Sequence, residues 1–230
     1  MTALIPPSFL MRFQFSLRHI AEIPRTGNSG RQKKGRVWPL ELSQACQLPF
    51  PSALNGERPW ADMRMAWNAN GIGVSCLVQG KSLPLVGFPG QRGDGVEWVF
   101  DLRPAPRTGG QAMHRAGRFC VGFFLSAVGG GTDGQLPLAV PQSIGQAREA
   151  SPLCDEADLL HSAEITRDGY RLETWFPATV LPGFDPASQP LIGCNYRLTD
   201  SELGNQSWTL DHRFPALSDP TLWPLGELKE

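Results

Sequence analysis

The sequence predicts an all-β protein, an antiparallel β-sandwich, and three observations lead to this fold class. Glycine and proline are abundant, with 25 Gly and 21 Pro among 230 residues, which indicates many turns and therefore many short strands. Short segments of alternating polar and apolar residues recur between turn signals. No long segment carries the apolar stripe of an amphipathic helix. Together these features predict a single β-sandwich domain over residues 1–230.

The clearest strand is the segment 94–102, which reads Asp-Gly-Val-Glu-Trp-Val-Phe-Asp-Leu. Side chains alternate between the two faces of a strand, and large apolar residues suit a face that packs on a core. One face here carries Val96, Trp98 and Phe100. The other carries Glu97, Val99 and Asp101. The pattern predicts a strand with one face in the core and a carboxylate-bearing face that lines a polar ligand site.

The same alternation predicts the remaining strands. They are a strand at 11–17, a hairpin at 61–79 that turns at 68–71, a strand at 118–126, a second hairpin at 159–176 that turns at 167–169, and strands at 191–198, 206–210 and 225–228. Pro177 at the first position of a helical turn predicts one turn over 177–181. The segments 26–36, 83–92, 103–117 and 129–152 are predicted as loops, and 38–60 as a wrap across an open end or edge of the sheet.

Composition and charge exclude several classes of function. The chain carries 21 Lys+Arg against 22 Asp+Glu, so no net field attracts nucleic acid or an anionic membrane. No apolar run of about 18 residues is present, so no membrane span is predicted. The N-terminal apolar run is broken by Pro6 and Pro7, which argues against a signal peptide. The 5 cysteines lie far apart, and an odd number without a secretion signal predicts buried free thiols in the cytoplasm, with no metal site.

Three blocks of sequence carry a resemblance to a known family. They are Met63-Arg-Met-Ala-Trp-Asn-Ala-Asn-Gly-Ile-Gly-Val, Gly93-Asp-Gly-Val-Glu-Trp-Val-Phe-Asp101, and Gly169-Tyr-Arg-Leu-Glu-Thr-Trp-Phe-Pro177 with Ile192-Gly-Cys-Asn-Tyr196. In this order they resemble the DOMON-like superfamily, specifically the branch around family 9 carbohydrate-binding modules. The segment 219–228 resembles the family's last strand, and 114–120 is similar to uncharacterised bacterial members. The likeness covers about residues 60–228, preceded by an N-terminal strand and wrapping segment over 1–59.

The resemblance implies a non-enzymatic β-sandwich module that needs no cofactor and binds a carbohydrate or polyol on a sheet face. In sugar-binding members a Glu on the central strand and an Arg on the following strand hydrogen-bond the sugar, while two Trp residues clamp its ring. Glu97 matches the first position and Arg118 the second. The sequence departs from the family at the clamp, where Phe88 is the nearest preceding aromatic and Leu217 replaces the second Trp. The predicted ligand-binding residues are Glu97, Arg118, Phe88, Arg103, His114 and Asn195.

Two alternatives stay open at the level of sequence. Four side chains cluster around two strand ends, namely Arg103, His114, Arg115 and Arg118. They either grip a carboxylate or phosphate, or form ion pairs with the nearby Asp94 or Asp101. The departure at Leu217 favours a protein-interaction or structural domain that has lost the sugar site, with a protein rather than a sugar as its partner.

Other chemistries fit this sequence less well. Glu97 and Asp101 stand about 13 Å apart by strand rise, too far for the carboxylate pair of a glycosidase, which needs about 5–9.5 Å. No Gly-x-Ser-x-Gly elbow is present. Met63 or Met65 with His114 is the remaining option for a redox haem domain, although alternation places both Met residues in the core. The loop 200–205 offers oxygen ligands for Ca²⁺ without the spacing of a recognised calcium loop.

Overall fold

The computed structural model describes residues 13–21, 40–51, 58–87, 93–104, 115–209 and 215–229. Within these ranges the chain forms strands β1 (Gln14–His19), β2 (Ala61–Asn68), β3 (Gly71–Gln79), β4 (Gly95–Asp101), β5 (Cys120–Gly130), β6 (Leu136–Gln142), β7 (Leu160–Ile165), β8 (Gly169–Pro177), β9 (Leu191–Asp200), β10 (Gly204–Ser207) and β11 (Leu225–Lys229). The helical elements with bounds inside these ranges are the 3₁₀ turns Gln44–Cys46, Glu156–Asp158, Ala178–Val180 and Pro220–Leu222. No helix among the described residues has the length and apolar character needed to traverse a bilayer. The all-β prediction is confirmed.

The strands form one continuous sheet in the order β6-β5-β4-β9-β11-β1-β2-β3-β8-β7, with β10 paired to β9. Most neighbours are antiparallel, but β1 runs parallel to both of its neighbours, β11 and β2. The expected antiparallel β-sandwich is therefore corrected in two respects: the described strands form one sheet rather than two, and β1 is parallel to its neighbours. Alternation within β1 cannot reveal this, because strand direction depends on which distant segment lies beside it.

The sheet curls so that one face encloses a single large core. The inward row of β4 is Val96, Trp98 and Phe100, as the alternation predicts. Trp98 packs on Tyr196 of β9, with ring centroids 5.1 Å apart, and Phe100 packs on Phe176 of β8 at 5.5 Å. The core thus joins strands from both ends of the sheet, and burial of these aromatic rings provides a large part of its stability.

The two edge strands, β6 and β7, approach each other where the sheet curls back. No ladder of backbone hydrogen bonds joins them in the described ranges. The side chain of His161 on β7 crosses the gap instead: its Nε2 lies 3.0 Å from the carbonyl oxygen of Ser126 on β5. Ser126 stands where the register between β5 and β6 shifts. This edge-to-edge approach is called the seam below.

β6 lies inside a segment that the sequence predicts as a loop, so that expectation is wrong over 136–142. The segment contains Pro137 and Pro141, which cannot donate backbone hydrogen bonds to a ladder. Proline is tolerated in a strand at the edge of a sheet, and β6 is such an edge. The predicted wrap at 38–60 is described in part: Leu48 donates its backbone N–H to the Met63 carbonyl at 2.8 Å, so the segment lies along β2.

Candidate functional site

The outward face of β4 is where the sequence predicts a ligand site. Glu97 lies opposite Phe124 of β5 and opposite Arg197 of β9, and cross-strand partners share a face. Glu97 is 9% exposed and Asp101 is 8% exposed, so this face is largely covered rather than open to solvent. The cover consists of loops that precede β5, follow β6 and precede β11.

Glu97 forms an ion pair with Arg197 across the β4–β9 ladder. The Arg197 Nε donates to Glu97 Oε2 at 3.0 Å, and Nη2 donates to the same oxygen. The Glu97 side chain is 12% exposed and the Arg197 side chain is 33% exposed. Arg103 and Arg118, the partners that the sequence suggests for the carboxylates on this strand, do not fill this position. The pair is fixed by register, because both residues lie in the middle of paired strands.

A groove with a volume of about 380 Å³ lies over this ion pair. Glu97, Arg197 and Gly122 form its floor, and the segments 142–145 and 215–218 form its walls. The walls present apolar side chains, Ile144 and Leu217 among them, beside the neutral polar residues Gln142, Ser143 and Ser218, and Ser207 of β10 also lines the groove. This size and mixture are typical of small-molecule sites.

The wall at 215–218 is fixed from behind at the carbonyl of Ala216. Asn195 Nδ2 donates to this oxygen at 2.9 Å, and Trp223 Nε1 donates to it at 2.8 Å. The backbone N–H groups of Ser218 and Asp219 both donate to the Pro215 carbonyl at 3.0 Å, which closes the turn. Asn195 is 1% exposed, and its Nδ2 also donates to Thr209 Oγ1 at 3.2 Å. The structure places this side chain behind the wall, and its role as a ligand contact stays a prediction.

A second, small apolar cluster under the groove holds both walls together. Val99 of β4 packs with Ala116, Cys120 and Trp223, and both Ile144 and Leu217 pack against this cluster. Val99 is therefore buried on the face opposite the main core. Because the two walls share one apolar support, the groove is preformed rather than assembled by its ligand.

The predicted arginines lie at the end of β4 and β5 rather than beside Glu97. Both guanidinium groups stack on Phe119, with Cζ 5.1 Å from the ring centroid for Arg103 and 4.7 Å for Arg118. Cys120, where β5 begins, is already about 13 Å by strand rise from Phe124, the partner of Glu97. The structure therefore does not bring Arg118 to the Glu97 groove. Phe88 and His114 lie outside the described residues, so their roles remain predictions.

Arg197 is a candidate functional residue that the sequence analysis did not single out. It alternates with Tyr196 and Leu198, which face the core, so its outward direction is readable from the sequence. Its pairing with Glu97 is not readable, because 100 residues separate the two and β9 inserts between β4 and β11. The signal available was a single basic residue on the outward face of a strongly apolar strand.

The suggested haem and calcium sites receive no support from the residues that the structure describes. Met63 and Met65 are 3% and 1% exposed and pack within the main core. Asp200, the first residue of the suspected calcium loop, accepts a hydrogen bond from the buried ammonium group of Lys81 at 2.9 Å. Among the described residues, no group of three or more His, Cys, Asp or Glu is placed to hold a metal ion.

Comparison with solved structures identifies the fold. A family 9 carbohydrate-binding module from Caldicellulosiruptor kristjanssonii, solved in complex with glucose, aligns over 94% of this chain and 95% of that chain, with a TM-score of 0.56 and 12% identity. A protein from Bacteroides uniformis, provisionally described as carbohydrate-binding, aligns over 95% of this chain and 100% of that chain, with a TM-score of 0.52 and 13% identity. No protein-family model and no curated protein matches the sequence. The chain therefore has a fold similar to that of family 9 carbohydrate-binding modules, and identity this low shows the fold alone.

Proposed function

We propose that this protein is a non-enzymatic module that binds a neutral carbohydrate or polyol in the groove over Glu97 and Arg197. The observation that carries the proposal is a charged, hydrogen-bonding floor between two preformed walls with apolar side chains. The fold likeness supports it, since the structural neighbour from Caldicellulosiruptor kristjanssonii holds glucose. Kinship with bacterial members of the DOMON-like superfamily is part of the same proposal.

The floor suits hydroxyl groups because it offers both kinds of hydrogen-bonding partner. Arg197 carries only donors and Glu97, when ionised, carries only acceptors. A sugar hydroxyl both donates and accepts, so two adjacent hydroxyls can bind this pair together. The apolar side chains of Ile144 and Leu217 then contact the C–H surface of the ligand, where the related family uses Trp rings.

Charge on the floor favours a neutral ligand over an acidic one. Among the described lining residues, Glu97 and Arg197 carry the charges, and they pair with each other. An anionic sugar would bring a second negative charge beside the Glu97 carboxylate in a site that is mostly shielded from water, and the repulsion between like charges opposes its binding. We therefore expect glucose-like or other neutral polyols to bind better than uronic acids.

Isothermal titration calorimetry against a panel of neutral mono- and oligosaccharides tests the proposal. Glu97→Gln and Arg197→Gln should each weaken binding by about tenfold or more, because each removes a charge-assisted hydrogen bond to the ligand. Glu227→Gln is the matched control, since Glu227 pairs with Lys229 on β11, away from the groove. Circular dichroism of each variant establishes that the fold is retained. Binding that survives both groove substitutions contradicts the assignment of the site.

The second candidate is a protein-interaction or structural domain, and the aliphatic wall at Leu217 favours it. Stacking of sugar rings on aromatic side chains is a large source of affinity that this wall lacks. This candidate predicts no heat with any sugar of the panel and capture of a specific protein partner through the same groove. If no sugar of the panel gives a heat of binding while the fold is intact, the sugar proposal is overturned.

A further inference from the structure

A second surface, at the end of β4 and β5, carries two arginines in a built arrangement. Arg103 follows β4, and Arg118 precedes β5 next to Phe119. Because both Cζ atoms stack on one ring, they lie within about 10 Å of each other. Arg103, Arg118 and Phe119 are called the arginine platform below. It is separate from the groove over Glu97 and Arg197.

Gly183 holds one side of the arginine platform in place. Arg103 Nε donates to the Gly183 carbonyl at 3.2 Å, which anchors one side of the guanidinium and leaves its two Nη groups out of this bond. Gly183 has φ of 82°, and a Cβ there would lie 2.7 Å from the Phe119 ring and 2.9 Å from Arg103 Nε. Only glycine permits both this backbone conformation and this close approach. The arrangement is therefore a packed feature and not two arginines that happen to be exposed.

The guanidinium groups of the platform are available to an external anion. Both arginines are exposed, and within the described ranges no carboxylate lies within salt-bridge distance of either. Asp185 is an acidic neighbour of Arg103: hydrogen bonds from Ser188 lower its pKa first, and the charge of Arg103 lowers it further. The Asp101 carboxylate accepts a hydrogen bond from the backbone N–H of Arg103 at 3.2 Å, and not from the Arg103 guanidinium group.

We propose that the arginine platform binds the carboxylate or sulfate groups of an acidic polysaccharide. Two forks held by stacking lose little rotamer freedom on binding, and each can bind one anionic group bidentately. The two Cζ atoms lie at most about 10 Å apart, so both guanidinium groups can bind anionic groups of one polysaccharide chain. Nucleic acid is the less suitable polyanion, because both guanidinium groups stack on Phe119 and cover the ring that a base would need for stacking. This site is independent of the neutral-ligand groove proposed above.

Affinity electrophoresis in gels that contain polygalacturonate or heparin tests this proposal with the intact chain. The wild-type protein should be retarded in at least one gel, and retardation should weaken as NaCl is raised. The double variant Arg103→Gln/Arg118→Gln should lose about tenfold or more in affinity. Arg167→Gln, which alters an exposed arginine in the β7–β8 turn, should match the wild type.

A third variant, Phe119→Leu, separates the platform from net charge alone. It keeps both arginines but removes the ring on which they stack, and it should weaken binding several-fold if stacking organises the forks. Equal retardation of the wild type and the double variant overturns the proposal, as does the absence of retardation in both gels. Tighter binding to double-stranded DNA than to either polysaccharide also overturns it. Calorimetry with neutral sugars reports on the groove alone, so failure of either proposal leaves the other measurable.

Discussion

His161 is held in its neutral form by burial, which outweighs the opposite effect of the hydrogen bond to the Ser126 carbonyl. The Ser126 carbonyl can only accept, so Nε2 carries the proton, and Nδ1 then accepts from the Thr174 hydroxyl at 2.8 Å. Burial is the main cause that lowers the pKa of His161 to about 4. A charged imidazolium would have two donors and would lose the contact with Thr174 unless that hydroxyl reorients.

Acid should therefore weaken the fold through this one residue. The pKa is lower in the folded chain than in the unfolded chain, so the unfolded state binds more protons between about pH 6.5 and 4. The free energy of unfolding should fall as pH drops through this window, with a contribution from His161 of at most about 1.4 kcal/mol per pH unit. Urea denaturation of the wild type and of His161→Gln at several pH values measures the difference. Parallel pH profiles for the two proteins would show that His161 does not titrate in this way.

At the scale of elements, a buried ion-pair network connects the ends of several strands. Lys81, which is 4% exposed, follows β3, and its ammonium group lies 2.9 Å from Asp200 and 3.2 Å from Asp94. Asp94 also accepts from the backbone N–H of Ser201 at 2.7 Å and of Val86 at 3.0 Å. Burial alone would lower the pKa of Lys81, but hydrogen bonds to Asp200 and Asp94 outweigh it and the pKa is raised. The ammonium group stays charged and fixes the β9–β10 turn to the loop before β4.

Removal of the ammonium group should destabilise the protein strongly. Lys81→Met leaves two buried carboxylates without their counter-charge, which typically costs about 3–5 kcal/mol of unfolding free energy. The double variant Lys81→Met/Asp200→Asn should lose less than the sum of the two single losses, because the residues form one network. Chemical denaturation of the four proteins gives the coupling. Additive losses would mean that the residues act independently.

Local sequence signals predicted the hairpins well because their determinants are local. The predicted hairpins 61–79 and 159–176 correspond to β2–β3 and β7–β8, and Asn70 in the first turn donates its backbone N–H to Asn68 Oδ1 at 2.8 Å. The alternation also placed Trp98 in the core and Glu97 on the opposite face. Strand order was beyond the sequence, since the β4–β9 and β1–β11 pairs join distant segments. The candidate site depends on that order, which is why Arg197 and the walls of the groove were not predicted.

At the scale of the whole molecule, the protection of backbone amides against hydrogen exchange should increase with distance from the seam. β4 is paired on both sides over its length, whereas β6 and β7 each have one neighbour in the sheet. All residues of β4 are buried, and β6 contains none that is fully buried. Local opening therefore costs less free energy at the seam than at the centre of the sheet.

Hydrogen exchange followed by mass spectrometry tests this gradient. Amides of β4 and β9 should exchange last and those of β6 and β7 first, with His161→Gln increasing exchange in β7 because it weakens the contact that crosses the seam. Peptides from β2, which are remote from the seam, serve as the internal reference. Slow exchange throughout β6 and β7, equal to that of β4, would indicate that the sheet closes as a continuous barrel.

The position of β1 has a consequence for synthesis on the ribosome. β1 pairs with β11 along Gln14–Arg18 and with β2 only through Arg18 and His19. Its backbone hydrogen bonds therefore join the strands β6-β5-β4-β9-β11 on one side of the sheet to β2-β3-β8-β7 on the other. Its main partner is the last described strand to be translated. Until β11 has left the exit tunnel, the nascent chain presents unpaired edges at β9 and an uncovered Leu17, which are surfaces that chaperones bind and that promote aggregation. Stalled or truncated products that end before residue 225 should therefore persist as two unjoined half-sheets.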